Sequence, residues 1–198
     1  MENVARKVVL FYILSILICS CSSIDQEQTN LYSIDSLLVQ QSRYLTGNAS
    51  RLTKVSGLGV HSDTVMVTPE STEEWKKELE IFAVIDVINK PANKDFYKIE
   101  ILPDNKSNLS VKAFTTKEDL PVQFLRLYYQ ASDDKIRRIE AKYNESNALY
   151  KSTRLLTMEF QQIDDTIVLT SYEIHGDQKM FLGDSVKYSI RGDVTLSN

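Results

Sequence analysis

The stretch Val186-Lys187-Tyr188-Ser189-Ile190-Arg191-Gly192-Asp193-Val194-Thr195-Leu196 decides the fold class of this chain. Apolar and polar side chains alternate along most of it, which is the period-two pattern of a half-buried β-strand. One face of this strand is therefore expected to be solvated and the other to be buried.

The same period extends upstream as far as Phe96. Turn-rich stretches such as Pro103-Asp104-Asn105 separate further strands. The upstream strands are predicted at Phe96–Leu102, Leu109–Thr115, Val122–Gln130, Lys135–Tyr143, Leu149–Phe160 and Thr166–Ile174. Because the connections are short, successive strands form hairpins, and we expect an antiparallel meander of about six or seven strands.

Two helices are predicted ahead of the strands. Apolar residues recur at steps of three and four from Leu31 to Val55, with a possible break at Gly47-Asn48. The second helix starts at Ser71, whose capping box with Glu74 marks its first turn. Its buried stripe is predicted to contain Trp75, Leu79, Phe82, Ile85 and Ile88, and it ends at Asn89-Lys90-Pro91. A glycine-rich loop, Ser56–Gly59, and a short β-like run, Thr64–Val67, lie between the two helices.

These elements predict one α+β domain over residues 31–198, with both helices on one face of a curved antiparallel sheet. The strand Val122–Gln130 is apolar on both sides: Val122, Phe124 and Tyr128 share one face, and Leu125, Leu127 and Tyr129 share the other. Either the sheet curls into a half-barrel that closes on the helices, or its second face holds an apolar molecule. A cavity of the second kind would be lined by Leu125, Leu127, Tyr129, Ile139 and Leu169.

The first residues have the pattern of an export signal. Arg6 and Lys7 precede the apolar run Val8–Ile18, which is about half the length that a membrane-spanning helix needs. The run ends at Cys19-Ser20-Cys21 and resembles the bacterial lipoprotein signal peptide, in which an aliphatic residue, a small residue and an acylated cysteine follow the apolar core. The resemblance implies a signal peptide over residues 1–20, lipid on Cys21 and a polar tether over residues 21–30.

Two other interpretations of this segment remain open, an ordinary secretory signal and a short buried core helix. Cys19 is a second possible acceptor, although no small residue precedes it. Ser22 after the cysteine implies passage to the outer membrane, and Asp25 and Glu27 resemble export signals of Bacteroidota surface lipoproteins. Triplets of aspartate, Ser/Thr and an aliphatic residue resemble the O-glycosylation sequon of that phylum, and they begin at Asp35, Asp63, Asp165 and Asp184.

The remaining chain lacks a recognisable catalytic motif. His61 and His175 are far apart, and no thiol remains after acylation, so we predict no metal site and no cofactor. Two aspartate pairs, Asp133-Asp134 and Asp164-Asp165, resemble paired catalytic acids or calcium ligands. Both lie at predicted hairpin turns, where aspartate hydrogen-bonds its own backbone, and this interpretation explains them better. Arg191-Gly192-Asp193 spells an integrin-recognition tripeptide inside a predicted strand. Asp86, near the end of the second helix, is expected to face solvent.

A formal net charge of −4 argues against nucleic acid as a partner. We therefore expect a protein that is not an enzyme: an outer-membrane lipoprotein acting as a binding or accessory subunit in the cell envelope. Its partners would be the membrane, through the lipid anchor, and another envelope protein. The alternative is a carrier or sensor of a lipid-like apolar ligand in the half-barrel cavity.

Overall fold

The computed structural model describes residues 31–130 and 135–197. The predictions for the signal peptide, Cys19, Cys21, the tether and Asp133-Asp134 lie outside these residues. Residues Leu31–Asn198 form one compact unit. Its elements are, in chain order, α1 (Ile34–Gly47), β1 (Arg51–Leu58), β2 (His61–Val67), α2 (Thr72–Leu79), a 3₁₀ helix (Glu80–Asn89), α3 (Pro91–Lys94), β3 (Lys98–Pro103), β4 (Leu109–Thr115), β5 (Val122–Gln130), β6 (Ile136–Ser146), β7 (Tyr150–Ile163), β8 (Thr166–Met180) and β9 (Ser185–Thr195).

All the strands belong to one antiparallel sheet. Their order is β2-β1-β9-β8-β7-β6-β5-β4-β3, so the meander runs from β3 to β9 and the β1–β2 hairpin adds to it beside β9. The α+β class and the antiparallel sheet are confirmed, but the described sheet has nine strands rather than six or seven. Strands β2 and β3 form its two edges.

The helices pack on one face of the sheet and build the core there. Helix α1 packs against α2 and the 3₁₀ helix and reaches β8, while the 3₁₀ helix contacts β5 and β6. The predicted stripe of the second helix is fully buried: Trp75, Leu79, Phe82, Ile85 and Ile88. We call the opposite side of the sheet the open face.

The first helix is shorter than predicted. It ends at Gly47, and Ala49 takes a positive φ of 44° before the chain enters β1 at Arg51. The expected helical residues Leu52 and Val55 therefore lie on a strand, where Leu52 is buried. Hydrogen bonding of β1 to β2 on one side and to β9 on the other outweighs the local helical spacing.

The second helix changes its winding part-way. It is α-helical from Thr72 to Leu79 and continues as a 3₁₀ helix to Asn89. A 3₁₀ helix has three residues per turn, so residues spaced by three share one face. Leu79, Phe82, Ile85 and Ile88 have this spacing and are all fully buried, which explains the tighter winding.

The side chain of Asp86 does not simply face solvent as expected. Its Oδ1 accepts a hydrogen bond from the Ile34 N–H at 2.9 Å, at the first turn of α1. Asn89 adds a second tie, because it accepts from the Leu31 N–H at 2.8 Å and donates to the Tyr32 carbonyl at 2.7 Å. The 3₁₀ helix thus satisfies backbone groups at the start of α1 that no helix satisfies by itself.

A bulge near the start of β5 decides which of its side chains reach the core. A register shift between Val122 and Phe124 places Val122 on the helix-covered side, contrary to the alternation predicted from sequence. Val122 is fully buried in the main core. Tyr128 instead packs on the open face in a small separate cluster with Val111 and Ala113.

Gln41 joins α1 to the sheet. This side chain is 1% exposed. Its Nε2 donates to the Ile167 carbonyl at 2.9 Å, and its Oε1 accepts from the Leu169 N–H at 2.8 Å. The pairing of β8 with β9 stops at Ser171, so the Gln41 amide takes the place of a neighbouring strand where β9 no longer pairs with β8.

Candidate functional site

The five residues predicted to line an apolar cavity lie in the core instead. Leu125, Leu127, Ile139 and Leu169 are buried in the main cluster, and the partly buried Tyr129 packs against it. They face the buried side of α1, α2 and the 3₁₀ helix, whose apolar residues fill the same cluster. These side chains therefore act as packing residues.

The polar candidates that lie within the described residues do not assemble into a reactive centre. His61 begins β2, while His175 lies within β8 rather than in a turn, with its Nε2 3.5 Å from Glu173. Asp164 has a φ of 51° and occupies the β7–β8 turn with Asp165, as the turn interpretation predicted. Among the described residues, no group of three or more His, Cys, Asp or Glu is arranged to hold a metal ion.

The tripeptide Arg191-Gly192-Asp193 is part of β9, as expected. The Arg191 guanidinium pairs with Asp193 at 2.8 Å and with Glu173 on β8. These bonds hold the two charged side chains against the sheet, so the tripeptide is not displayed on a loop.

The open face carries a ladder of opposite charges. Across β5 and β6, Arg126 Nη1 is 3.2 Å from Glu140 Oε2, which also accepts from the Tyr128 hydroxyl at 2.9 Å. Arg138 lies over the Tyr128 ring at 4.2 Å and is 3.8 Å from Glu159. These groups neutralise one another, as cross-strand pairs commonly do.

Glu159 is the carboxylate of this ladder with a clear electrostatic perturbation. Burial raises its pKa, which the cation of Arg138 counteracts, and the neighbouring carboxylates Glu173 and Glu140 raise it further. This side chain is still partly exposed, and its shift follows from the packing of the ladder. We therefore assign the open face a structural role.

The two sheet edges differ in how they expose their backbone. In an antiparallel ladder, facing residues alternate between hydrogen-bonded and non-hydrogen-bonded pairs. On β3, the Asp104 N–H donates to the Leu109 carbonyl at 2.9 Å, next to the pairing of Pro103 with Ser110. Counting back from this bond, Ile99 and Ile101 direct their N–H and C=O groups away from β4, towards the edge.

The side chains of β3 are apolar and exposed at the same place. Ile101 is 74% exposed, and Ile99 and Leu102 are about half exposed. Tyr97 fixes the start of the strand, because its hydroxyl donates to the Val122 carbonyl at 2.7 Å. Burial raises the pKa of Tyr97 to about 12. We call the strand Lys98–Pro103, with its outward backbone groups, the β3 edge.

Strand β2, at the opposite edge, is protected at Thr64. Gly59, with a φ of 60°, forms the turn that pairs Leu58 with His61, so Thr64 directs its N–H outwards. That N–H is bonded to Asp63 Oδ1 at 2.9 Å. An inserted acidic side chain is a common means of blocking an edge strand. Asp63 blocks one outward amide of β2, whereas the outward amide of Met66 lies beside a side chain that is 84% exposed.

Comparison with known proteins found no match: no family model, curated protein or solved structure matches this chain. Within the described residues, no helix is long and apolar enough to cross a membrane.

The β3 edge was not predicted as a site, although its strand was. The signal lay in Ile99, Ile101 and Leu102, which are apolar on both sides of the strand, followed by Pro103. Proline within a sheet is confined to edges, strand ends and bulges. The sequence of β3 does not show that the strand lies at an edge of the sheet, because its position depends on the order of the nine described strands.

Proposed function

We propose that this chain is a lipid-anchored, non-enzymatic protein of the bacterial outer membrane. Its domain acts as a binding or accessory subunit of the cell envelope, and it recognises an extended segment of a partner envelope protein. The segment adds to the β3 edge as a tenth strand next to the nine of the sheet. Main-chain hydrogen bonds would supply affinity, and the exposed isoleucines would select apolar side chains.

The observation that carries the proposal is the coincidence of free backbone groups and apolar side chains at Ile99 and Ile101. A strand edge of this kind is a template for pairing with another chain, and proteins usually block it when it has no partner. At the opposite edge, Asp63 blocks the outward amide of Thr64. This acidic block on β2 favours β3 as the edge that receives a partner.

Two further observations support binding over catalysis or ligand transport. The perturbed carboxylate Glu159 lies in a ladder of paired charges on the sheet rather than in a cleft. The residues that a carrier cavity required are packed in the core. The anchor rests on the Cys19-Ser20-Cys21 pattern, and the outer-membrane location rests on Ser22.

The test uses two proline variants that each remove one outward amide from an edge strand. Ile101→Pro removes an N–H of the β3 edge, and Met66→Pro is the matched control on β2. Neither amide is directed to a neighbouring strand, so both variants keep the ladder bonds within the sheet. A photoreactive residue in place of the exposed Lys98 then reports the neighbour of the β3 edge in intact membranes.

The expected result is a cross-link to one envelope protein that persists in Met66→Pro and disappears in Ile101→Pro. Equal cross-linking in both variants would place the partner elsewhere. A chain that cross-links to no envelope protein at position 98, while folded and in the membrane, would refute strand addition at β3.

A further inference from the structure

Three hairpin turns at one end of the sheet expose large apolar side chains. They join β1 to β2, β6 to β7 and β8 to β9, and the registers place them at the same end of the strands. Val60 is 95% exposed and Leu182 is 91% exposed. The other exposed apolar residues there are Leu58, Leu149, Met180, Phe181 and Val186. We call these three turns the hairpin end.

The turns at the opposite end are polar. The β3–β4 connection is Asp104-Asn105-Lys106-Ser107-Asn108, and the β7–β8 turn is Asp164-Asp165. Exposed leucine, valine and phenylalanine side chains occur singly on ordinary surfaces. Their concentration in the turns of one end, where polar residues are the rule, indicates a contact surface.

The hairpin end is held in shape by contacts between turns. The Phe181 N–H donates to the Leu149 carbonyl at 2.8 Å, which joins the β6–β7 and β8–β9 turns. Between them lies a shallow cleft of about 230 Å³ whose lining includes Leu149, Tyr150, Met180 and Phe181. The apolar side chains are thus presented together on a preformed surface.

Three lysines and two aspartates, Asp177 and Asp184, border this surface. Lys151 and Lys179 face each other directly across β7 and β8. Like charges in this position destabilise a sheet unless an anion lies between them. Lys187 adds a third cation on β9, opposite Asp177. Exposed apolar side chains bordered by lysines match a bilayer surface. The apolar side chains of the turns contact the acyl chains, and the lysine ammonium groups contact anionic headgroups.

The chain enters the domain from the side of the hairpin end. The first turn of α1, with Asp35, shares a cleft with Tyr143, three residues before the end of β6. Further along α1, Gln41 bonds to Ile167 and Leu169, next to the polar β7–β8 turn. Helix α1 therefore runs away from the hairpin end. The ten residue steps from Cys21 to Leu31 span at most about 35 Å, which keeps the domain close to a membrane that holds Cys21.

We propose that the hairpin end inserts its apolar tips into the surface of a lipid bilayer containing anionic lipid. The inference goes beyond the partner-binding edge, and it rests on the proposed anchor only for the arrival of the domain at the membrane. The bilayer contact orients the domain with its polar β3–β4 and β7–β8 turns away from the lipid.

The test measures depth at the two ends of the sheet. Leu182→Cys and Asn105→Cys, each made in a Cys19→Ser background, place one labelling site at the hairpin end and one at the opposite end. An environment-sensitive dye on each cysteine is exposed to vesicles of phosphatidylethanolamine and phosphatidylglycerol that contain a lipid-borne quencher. We expect several-fold stronger quenching at position 182 than at position 105 in the mature, anchored chain.

The same pair of labels in a Cys19→Ser/Cys21→Ser chain separates this inference from the anchor. If Cys21 carries no lipid, mass spectrometry of the mature protein shows it, and the ratio of quenching at 182 to that at 105 still reports insertion. Equal quenching at the two positions overturns the inference. A dimer in sedimentation that shields position 182 from both water and lipid also overturns it, since a second copy then covers the hairpin end.

A charge variant completes the experiment. Phe181→Glu/Leu182→Glu is expected to abolish the excess quenching of a dye at position 149 while the unfolding temperature stays unchanged, because both side chains are exposed. The matched control, Asn105→Glu/Lys106→Glu, should leave that quenching as it is. Loss in both variants would reflect general repulsion from anionic lipid and would overturn the assignment to the hairpin end.

Discussion

The ring of Tyr172 on β8 lies across Gly192 on β9. A Cβ added to Gly192 would come within 2.3 Å of the ring atoms Cε1 and Cζ. The ring cannot move aside easily, because it is 1% exposed, its hydroxyl bonds to Glu78 on α2, and it packs against Phe82 in a T-shaped arrangement. Burial raises the pKa of Tyr172, and the bond to Glu78 raises it further.

Gly192→Ala should therefore destabilise the domain by about 1–3 kcal/mol, the usual cost of overpacking a core. Gly47→Ala is the control, since nothing lies within 4 Å of its added Cβ and its φ is not in the left-handed region. Denaturant unfolding of both variants measures the difference. A Gly192→Ala protein as stable as Gly47→Ala would mean that the Tyr172 ring is free to shift.

Gln41→Met should cost about 2 kcal/mol or more. The replacement keeps the length of the side chain but leaves the Ile167 carbonyl and the Leu169 N–H without their buried partner. The adjacent exposed Gln40→Met should change stability by less than about 0.5 kcal/mol. Hydrogen exchange adds a local readout, because the Leu169 amide should exchange faster in Gln41→Met alone.

The backbone direction of β3 can be checked without a partner. In the isolated domain, the amides of Ile99 and Ile101 should exchange rapidly, while those of Glu100 and Leu102 are protected by β4. Amide exchange followed by NMR resolves the four residues. Protection of Ile99 and Ile101 in the purified protein would show that something in the chain itself already covers the β3 edge.

Glu159→Gln should change how stability depends on pH. The pKa of Glu159 is raised above its ordinary value of 4.5 in the folded state. The protonated carboxyl therefore stabilises the fold at low pH, and this contribution is lost as the pH rises through the raised pKa. Unfolding free energies measured from pH 3 to pH 7 should show wild type losing stability relative to Glu159→Gln as the pH rises.

Asp104→Asn provides a control of opposite sign. The hydroxyl of Ser107 lowers the pKa of Asp104, so wild type should gain stability relative to this variant as the pH rises towards 3.8. Curves of the same sign for both variants would contradict the assigned environments.

Cys21→Ser should release the protein from membranes or leave it uncleaved. The substitution removes the proposed lipid acceptor, and the tether before Leu31 contributes little to folding. Palmitate labelling and membrane fractionation measure the anchor, and thermal unfolding should be unchanged. Continued labelling of Cys21→Ser, lost only when Cys19 is also replaced, would move the attachment point to Cys19.

Local pattern in the sequence was sufficient for most of the meander. Leu109–Thr115 and Val122–Gln130 match the observed strands, and the other predicted strands differ only at their ends. The turns between them contain residues that cap their own backbone. The alternation of apolar and polar side chains depends only on pairing between neighbouring strands, so it is visible in the local sequence. The capping box at Ser71 and Glu74 was likewise sufficient to place the start of α2.

Only the tertiary structure decided the rest. Leu52 and Val55 fit a helical stripe until β9, near the other end of the chain, pairs with them and makes them a strand. The predicted cavity residues became core because the 3₁₀ helix lies on them. The β3 edge and the hairpin end likewise follow from strand order and register. Such properties arise from contacts between residues distant in sequence, whereas local periodicity reports only which face of an element is apolar.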